Sequence, residues 1–356
     1  MQVSYEWLNE FVDLCGIEPE EIAHNLTMSG LEVEEIEYKK PSFTNIITAK
    51  IIKIENHPNA DKLHLVTVDL GGIEKTVVCG AQNIKEGQII PYAAVGSKVL
   101  DRIPGQEFEL TPATIRGVES QGMLCSEDEL GLGALQEEDG ILILNRLYGD
   151  NIILGQPLEK LMNLSTEIIF HTSPTANRGD EMSVLGIARE LSALFNRPLK
   201  FQKPKLDEIK KADFEVEILN DEVCKYYALA VLKNLEIKPS PDFIQRRITS
   251  CGMRPINNIV DITNYVMLEL GTPQHAFDYD KLNKYLCVRY AKENESIVTI
   301  DSQERKLIEN QSVVIASKDE PVCIGGVFGG LNSEIDENTK NIALEAAYFT
   351  PHTNRK

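Results

Sequence analysis

The chain has 356 residues, carries a formal net charge of −19 and is 42% hydrophobic. This length predicts two to four domains rather than one core, and the acidic charge excludes nonspecific binding of nucleic acid through a basic surface. The sequence contains neither an apolar run of about 18 residues, as a membrane span requires, nor the basic and apolar regions of a signal peptide. We therefore expect a cytoplasmic protein without membrane contact, whose seven isolated cysteines are buried reduced thiols rather than zinc ligands or disulfide partners.

Residues 1–40 predict two helices followed by a strand. Ser4 is placed to cap a helix that has Trp7 on its apolar face. Pro19 suits the first turn of a second helix. The alternating segment 31–38 is typical of a half-exposed strand.

Residues 41–150 differ in character, because short apolar segments alternate with glycine and proline and no long helix is predicted. This pattern predicts a small closed β-barrel. Its predicted strands are 46–54, 63–70, 76–79, 89–95, 107–115 and 141–144.

The charge of this predicted barrel bears on whether it binds RNA. Residues 40–150 contain 10 Lys and Arg against 16 Asp and Glu, a net charge of −6, whereas a barrel that bound RNA mainly through phosphates should be basic. Five basic residues remain candidates for a local RNA-binding patch: Lys50, Lys53, Lys62, Lys98 and Arg116. RNA contact and a packing or tethering role both stay open.

Helical patterning returns at residues 151–200. Asp180 follows a turn-rich loop and is expected to cap a helix that ends near Phe195. The similar character of residues 1–40 and 151–200 predicts that they pack together as one unit, with the barrel inserted between them.

In residues 201–356, the segment 251–278 predicts a helix, ended by Gly271 in a left-handed cap, and then a turn with His275 beside an apolar anchor. This is either an ordinary helix with a satisfied turn histidine or one wall of a pocket. The segment 325–330 has four glycines, which allow a strand or a ligand to approach the backbone closely. Glu345 lies within an apolar run and is either buried or outward-facing, and alternation slightly favours the outward position.

Several sequence blocks resemble known families. The blocks HPNADKLHLVTVDLG, VVCGAQNIKEGQ, ATIRGVESQGMLCSEDELGL and GILIL resemble, in order, the tRNA-binding OB-fold domain of several synthetases. Together with SGLEVEEIE, SPTANRGDEMSVLGIARELSALF, GMRPINNIVDITNYVMLELGTPQHAFD and GGVFGG…LEAAYF, they make the chain similar to the N-terminal portion of bacterial phenylalanyl-tRNA synthetase β subunits.

This resemblance implies a multidomain α+β fold. Its expected parts are a small, split helical/α+β unit (1–40 and 151–200), an inserted OB-fold β-barrel (41–150) and a mixed α/β B3/B4 editing domain (201–356) that is truncated at its C-terminus. It also implies an α2β2 heterotetramer, in which the α subunit joins phenylalanine to tRNA-Phe using ATP and Mg²⁺. Neither cofactor is expected to bind to this chain, and no metal ligands are predicted.

The resemblance further implies an editing site that hydrolyses tyrosine mischarged onto tRNA-Phe. An apolar pocket rejects an added hydroxyl group only about a hundredfold, so a second site that hydrogen-bonds the hydroxyl is needed. Glu345 matches the family's hydroxyl-binding acid, and Gly326 and Gly329 match the glycine wall against which the ring lies.

Three further residues match the ester end of the family's pocket. They are Thr263, Asn264 and His275, and His275 is expected to position the attacking water. The family segment that completes the pocket, rich in Thr, Asp, Ala and Ser, would follow Lys356, so one pocket wall is expected to be missing. Two other hypotheses are a pure binding module that docks tRNA or the α subunit and a free-standing deacylase.

Overall fold

The computed structural model describes residues 1–101, 106–132, 140–164, 166–205 and 210–354. They form two compact units. The first unit consists of Met1–Glu37 and Ile168–Lys356, and the second consists of Tyr38–Glu167. The second unit is therefore an insertion in the sequence of the first. No helix in the described ranges is long and apolar enough to cross a membrane.

The N-terminal elements follow the predicted order. They are β1 (Gln2–Ser4), α1 (Tyr5–Phe11), α2 (Pro19–Ser29) and β2 (Glu32–Lys39). The Ser4 hydroxyl caps α1 by accepting a hydrogen bond from the backbone N–H of Trp7. Pro19 opens α2, which ends at Gly30 in the left-handed region with a φ of +110°.

The second unit is built mainly from antiparallel strands. The strands are β3 (Thr44–Asn56), β4 (His64–Asp69), β5 (Glu74–Cys79), β6 (Ile89–Leu100), β7 (Glu107–Glu109), β8 (Ala113–Ile115), β9 (Val118–Ser120) and β10 (Met123–Leu124), and the helices are α3 (Glu127–Leu130), α4 (Leu144–Tyr148) and α5 (Leu158–Leu161). The main sheet has the order β10-β6-β3-β4-β5, with β7 paired to β6, and β8 and β9 pair separately. Within the described residues the pairing does not close into a barrel.

The predicted strand at 141–144 is wrong. Ile141 lies next to the side-chain amide of Asn83, which donates to its carbonyl (Nδ2 to O, 2.8 Å) and accepts from its N–H (N to Oδ1, 3.1 Å). This amide satisfies the backbone groups that a strand partner would otherwise take up, and α4 begins at Leu144. The predicted strand 107–115 is divided between β7 and β8.

The second unit extends beyond the predicted boundary at residue 150. Ile152 and Leu158 are buried in the same core as Ile46 and Val99. The backbone of Thr48 exchanges hydrogen bonds with this segment, because its N–H donates to Gln156 and its carbonyl accepts from Gly155. Residues 151–167 therefore pack with the inserted unit.

The chain returns to the first unit through β11 (Glu167–Ser173) and α6 (Val184–Leu194). In the sheet, β11 lies between β1 and β2. Phe170 and Ile187 share one core with Trp7 and Leu26 from the N-terminal elements.

The predicted cap of α6 is wrong by three residues. Ser183 is the N-cap, and its hydroxyl accepts from the N–H of Gly186 at 3.0 Å. Asp180 instead accepts two hydrogen bonds from the Arg178 guanidinium.

The described rest of the first unit contains two larger sheets, the two-stranded sheet β16-β17 and two principal helices. Its elements are β12 (Glu215–Ile218), β13 (Cys224–Leu232), α7 (Asp242–Ser250), α8 (Asn258–Leu270), β14 (Gln274–Asp278), β15 (Tyr285–Tyr290), β16 (Ser296–Val298), β17 (Glu304–Lys306), β18 (Val313–Ser317), β19 (Glu320–Ile324), β20 (Phe328–Gly329), β21 (Ile342–Phe349) and α9 (Pro351–Asn354). The sheet β12-β15-β18-β19-β20 shares a core with the sheet β13-β21-β14.

Arg247, on α7, lies between this region and α1. Its guanidinium carbon stands 5.3 Å from the ring centre of Trp7 and 5.6 Å from that of Tyr265, and it forms an ion pair with Glu10. Trp7 also donates from its indole nitrogen to Glu269 at 3.3 Å. These cation–π and polar contacts join α1 to α7 and α8.

Candidate active site

The polar residues at the start of α8 have structural partners. The Asn257 side chain caps the helix by accepting from the N–H groups of Ile259 and Val260. Asp261 is buried and accepts from the Ser240 hydroxyl at 2.6 Å and from the N–H of Ile256 at 2.8 Å. The helix therefore begins in a fixed position.

This helix leads directly to the strand that carries His275. Gly271 ends α8 in the left-handed region with a φ of +74°, as predicted, and β14 starts at Gln274. In the antiparallel ladder His275 lies directly opposite Glu345 on the central strand β21. Directly opposed residues of antiparallel strands have Cβ atoms about 5 Å apart on the same face, so the register brings the imidazole and the carboxyl group together.

Glu345 is buried, with 5% of its surface exposed, so the outward orientation that alternation favoured is wrong. The other face of β21 presents Leu344 and Ala346, which are only partly buried. Since apolar residues occupy both faces of this strand, the sequence pattern did not identify the covered face.

The Glu345 side chain makes one hydrogen bond among the described residues. The hydroxyl group of Tyr227, on β13, donates to Oε2 at 2.8 Å. Burial raises the pKa of Glu345 to about 7, and the Tyr227 hydrogen bond opposes this rise. Within the described residues, no group donates a hydrogen bond to the second oxygen, Oε1.

His275 is a neutral imidazole at physiological pH. Burial lowers its pKa to about 4. Its ring packs edge-on against Phe277 at 4.5 Å between ring centres. On the opposite sheet, a Cβ added to Gly329 would lie only 2.5 Å from Cε1 of His275, so a larger residue at this position would displace the imidazole.

These groups surround a cavity of about 390 Å³ between the two sheets. Its lining includes His275, Glu345, Cys323, Phe328, Gly326 and Gly329. Four of the predicted editing residues thus lie at one cavity. This size is typical of small-molecule sites, and a single buried acid beside a neutral imidazole can recognise a hydroxyl group and orient a water.

Thr263 and Asn264 are the two predicted editing residues that do not line this cavity. Thr263 is buried on α8, and its hydroxyl donates to the carbonyl of Val260 at 2.7 Å. Lys356, after which a pocket wall was predicted to be missing, lies outside the described residues. Tyr227 is a further residue of this site that no sequence pattern indicates, because a tyrosine within an apolar strand gives no signal of its partner.

The five basic candidates of the inserted unit are all exposed. Lys98 and Lys50 stand at different ends of the β3–β6 ladder, opposite Thr44 and Ile89 respectively. Lys53 forms an ion pair with Glu55 at 3.0 Å.

The remaining two basic candidates lie near each other. The carbonyl of Arg116 accepts from the Asn59 side chain at 2.9 Å, and Lys62 belongs to the same β3–β4 loop as Asn59. The loop is held in place because the buried His57 hydrogen-bonds to the carbonyl of Ile115 at 3.1 Å.

Two family matches correspond to these regions. Residues 46–146 match the family described as a putative tRNA binding domain, and residues 223–356 match the B3/4 domain family. The chain thus belongs to the class of proteins that combine a tRNA-binding domain with a B3/4 domain.

Full-length relatives make the assignment more specific. Over its entire length the chain is 41% identical to the phenylalanine–tRNA ligase β subunit of Synechocystis sp. and 39% identical to that of Syntrophus aciditrophicus. It covers 44% and 43% of those proteins, respectively, so it spans less than half the length of the curated relatives that it matches. The chain belongs to the phenylalanine–tRNA ligase β-subunit family.

Proposed function

We propose that this chain edits mischarged tRNA by hydrolysing tyrosine esterified to tRNA-Phe, as part of a phenylalanine–tRNA ligase. The observation that carries this proposal is the buried Glu345 at the cavity. An ionised Oε1 accepts a hydrogen bond from the hydroxyl of tyrosine, whereas phenylalanine leaves the desolvated oxygen without a partner. A buried polar group of this kind discriminates more strongly than an apolar pocket does.

His275 is proposed to orient the water that attacks the ester. A neutral imidazole nitrogen accepts a hydrogen bond from that water and directs its oxygen at the carbonyl carbon. The new C–O bond forms, the bond to the ribose oxygen breaks, and the water's proton passes to that leaving oxygen. Gly326 and Gly329 form the proposed wall for the ring, while Thr263 and Asn264 remain proposed at the ester end on the basis of the family resemblance.

The chain is proposed to act within a cytoplasmic α2β2 heterotetramer. There the α subunit would charge tRNA-Phe with phenylalanine using ATP and Mg²⁺. In the described residues no three His, Cys, Asp or Glu side chains are grouped as a metal site would require. We assign no residue of this chain to either cofactor. We propose the domain boundaries predicted from the sequence, with one change. Residues 151–167 are assigned to the inserted unit, with which they pack.

We propose that the inserted unit is an OB-fold barrel. Its open sheet order leaves β5 and β10 at opposite edges. The segment between β9 and β10 bridges toward β5, because the N–H of Gln121 donates to the carbonyl of Thr76 at 3.0 Å. The N–H of Val78 also donates to the Ser120 hydroxyl at 3.0 Å. These contacts support a barrel that closes without regular ladder pairing.

The direct test of editing is the hydrolysis of Tyr-tRNA-Phe by the full-length heterotetramer, with Phe-tRNA-Phe as the reference. We expect faster hydrolysis of the tyrosyl ester, with a Tyr/Phe ratio that rises with pH through about 7. The reason is that Glu345, whose pKa is raised to about 7 by burial, is ionised only above that pH. The reference ester corrects for spontaneous hydrolysis, which also increases with pH. Equal rates for both esters at all pH values would contradict the proposal.

Contact of the inserted unit with tRNA is proposed at Lys62 and Arg116, which share one end of the unit. The substitutions Lys62→Gln and Arg116→Asn together should weaken tRNA-Phe binding several-fold and reduce the slope of log affinity against log salt by about one per lost phosphate contact. Asn suits position 116, because Arg116 has a φ of +50°. The affinity and its slope are measured by filter binding.

Lys98→Gln is the matched control, because Lys98 is equally exposed but stands on β6, opposite Thr44. It should leave affinity and slope unchanged. The acidic balance of residues 40–150 favours the second candidate role, a scaffold. Unchanged binding in the double variant would support that role and contradict RNA contact.

A further inference from the structure

Tyr227 makes the single described hydrogen bond to the Glu345 side chain. It lies on β13 opposite Ala347, two residues along β21 from Glu345, so both side chains are on the same face of the sheet. The phenol reaches along the strand and places its oxygen 2.8 Å from Oε2. This distance is typical of a well-formed O–H···O hydrogen bond.

We propose that Tyr227 is a positioning residue that holds Oε2 of Glu345, directs Oε1 at the hydroxyl group of the substrate, and so sets the selectivity for a phenol ring. This inference rests on the proposed editing function. A carboxylate has two equivalent oxygens and rotates about its terminal bond. One fixed oxygen therefore defines where the other one lies, and no described residue donates a hydrogen bond to Oε1.

The charge of the carboxylate also depends on Tyr227. The titratable groups around Glu345 are Tyr227 and Cys224 from β13, His275 from β14 and Cys323 from β19. None of them is charged near neutral pH, because burial lowers the pKa of His275 to about 4 and raises the pKa of both thiols. The phenol hydrogen bond is thus the contact that lowers the pKa of Glu345 against the effect of burial.

The test is Tyr227→Phe in the full-length heterotetramer, measured as the Tyr/Phe hydrolysis ratio across pH. We expect the ratio at pH 7 to fall about tenfold and the midpoint of its rise to move up by about one pH unit, since a hydrogen bond to a charged group is lost. Tyr226→Phe is the matched control: Tyr226 is the preceding residue on the same strand and is 63% exposed. Its pH profile should match that of the wild type.

A merely structural role for Tyr227 gives a different result. Hydrolysis of both esters would then fall together with no shift of the midpoint, and that outcome would overturn the inference. In a Glu345→Gln background, Tyr227→Phe should cause no additional loss of selectivity, because its effect acts through the carboxylate.

If Tyr227→Phe folds poorly, 3-fluorotyrosine at position 227 keeps the shape and strengthens the donor, so the midpoint should move to lower pH; an unmoved midpoint overturns the inference. A wild-type enzyme without preference for the tyrosyl ester refutes the editing function itself. The inference about Tyr227 alone is refuted by a different set of results. In that set the wild type prefers the tyrosyl ester, Glu345→Gln loses this preference, and Tyr227→Phe keeps it with an unchanged pH profile.

Discussion

Replacing Glu345 by alanine in the full-length heterotetramer should slow hydrolysis of Tyr-tRNA-Phe by about 10- to 150-fold, while charging with phenylalanine continues at the wild-type rate. The range corresponds to the loss of one hydrogen bond to a charged acceptor, about 1.5–3 kcal/mol. Glu345 lies at the cavity between the sheet β13-β21-β14 and the sheet β12-β15-β18-β19-β20. Deacylation and aminoacylation are measured on the same enzyme preparation.

Glu337→Ala is the control for the loss of an acid in the same region, because Glu337 is exposed. It should leave both reactions unchanged. Glu345→Gln adds a second comparison, since it keeps the side-chain shape but removes the charge and the titration near pH 7. Tyr-tRNA-Phe hydrolysis at the wild-type rate in Glu345→Ala would refute the role of this acid, even if the enzyme edits by another route.

Local rules were sufficient where a single short contact decides the structure. Ser4 caps α1 and Gly271 ends α8 as predicted, because both rules depend on the backbone within one helical turn. They were insufficient at α6, where Asp180 and Ser183 both qualify as caps. The Arg178 guanidinium binds the Asp180 carboxylate, so that only Ser183 remains for the helix.

Contacts between distant residues account for the other differences. The strand predicted at Ile141 does not form, because its backbone groups hydrogen-bond to the side-chain amide of Asn83, 58 residues earlier in the sequence. The Arg247 guanidinium packs over the ring of Trp7, which is far away in the sequence. Hydrophobic periodicity describes one segment at a time, so it does not reveal contacts with distant segments.

In the candidate site, too, contacts between distant segments were not predictable from local patterns. From the sequence, His275 and Glu345 were related only by the family resemblance, and local alternation placed Glu345 on the wrong face. The antiparallel register of β14 and β21 makes them direct neighbours. Tyr227 is joined to Glu345 by a strand pairing across 118 residues, and no local pattern specified it.

Replacing His275 by alanine should lower the rate constant of Tyr-tRNA-Phe hydrolysis about 100-fold, in line with the loss of a group that orients and polarises a water. KM should change less than twofold, because Glu345 and the glycine wall still bind the tyrosine ring. The rate constant and KM are separated by varying the concentration of Tyr-tRNA-Phe. An equal loss in binding and rate would instead indicate a histidine that only packs against Phe277.

Gly329→Ala tests the same imidazole without removing it. The new methyl group would lie 2.5 Å from Cε1 and 2.9 Å from Nε2, so the ring must move away from its position opposite Glu345. We expect a loss of rate comparable to that of His275→Ala, and little additional loss when both substitutions are combined, because residues that act as one unit are not additive. Full additivity of the two effects would mean that Gly329 contributes to hydrolysis independently of His275, through the wall that the ring of the substrate contacts.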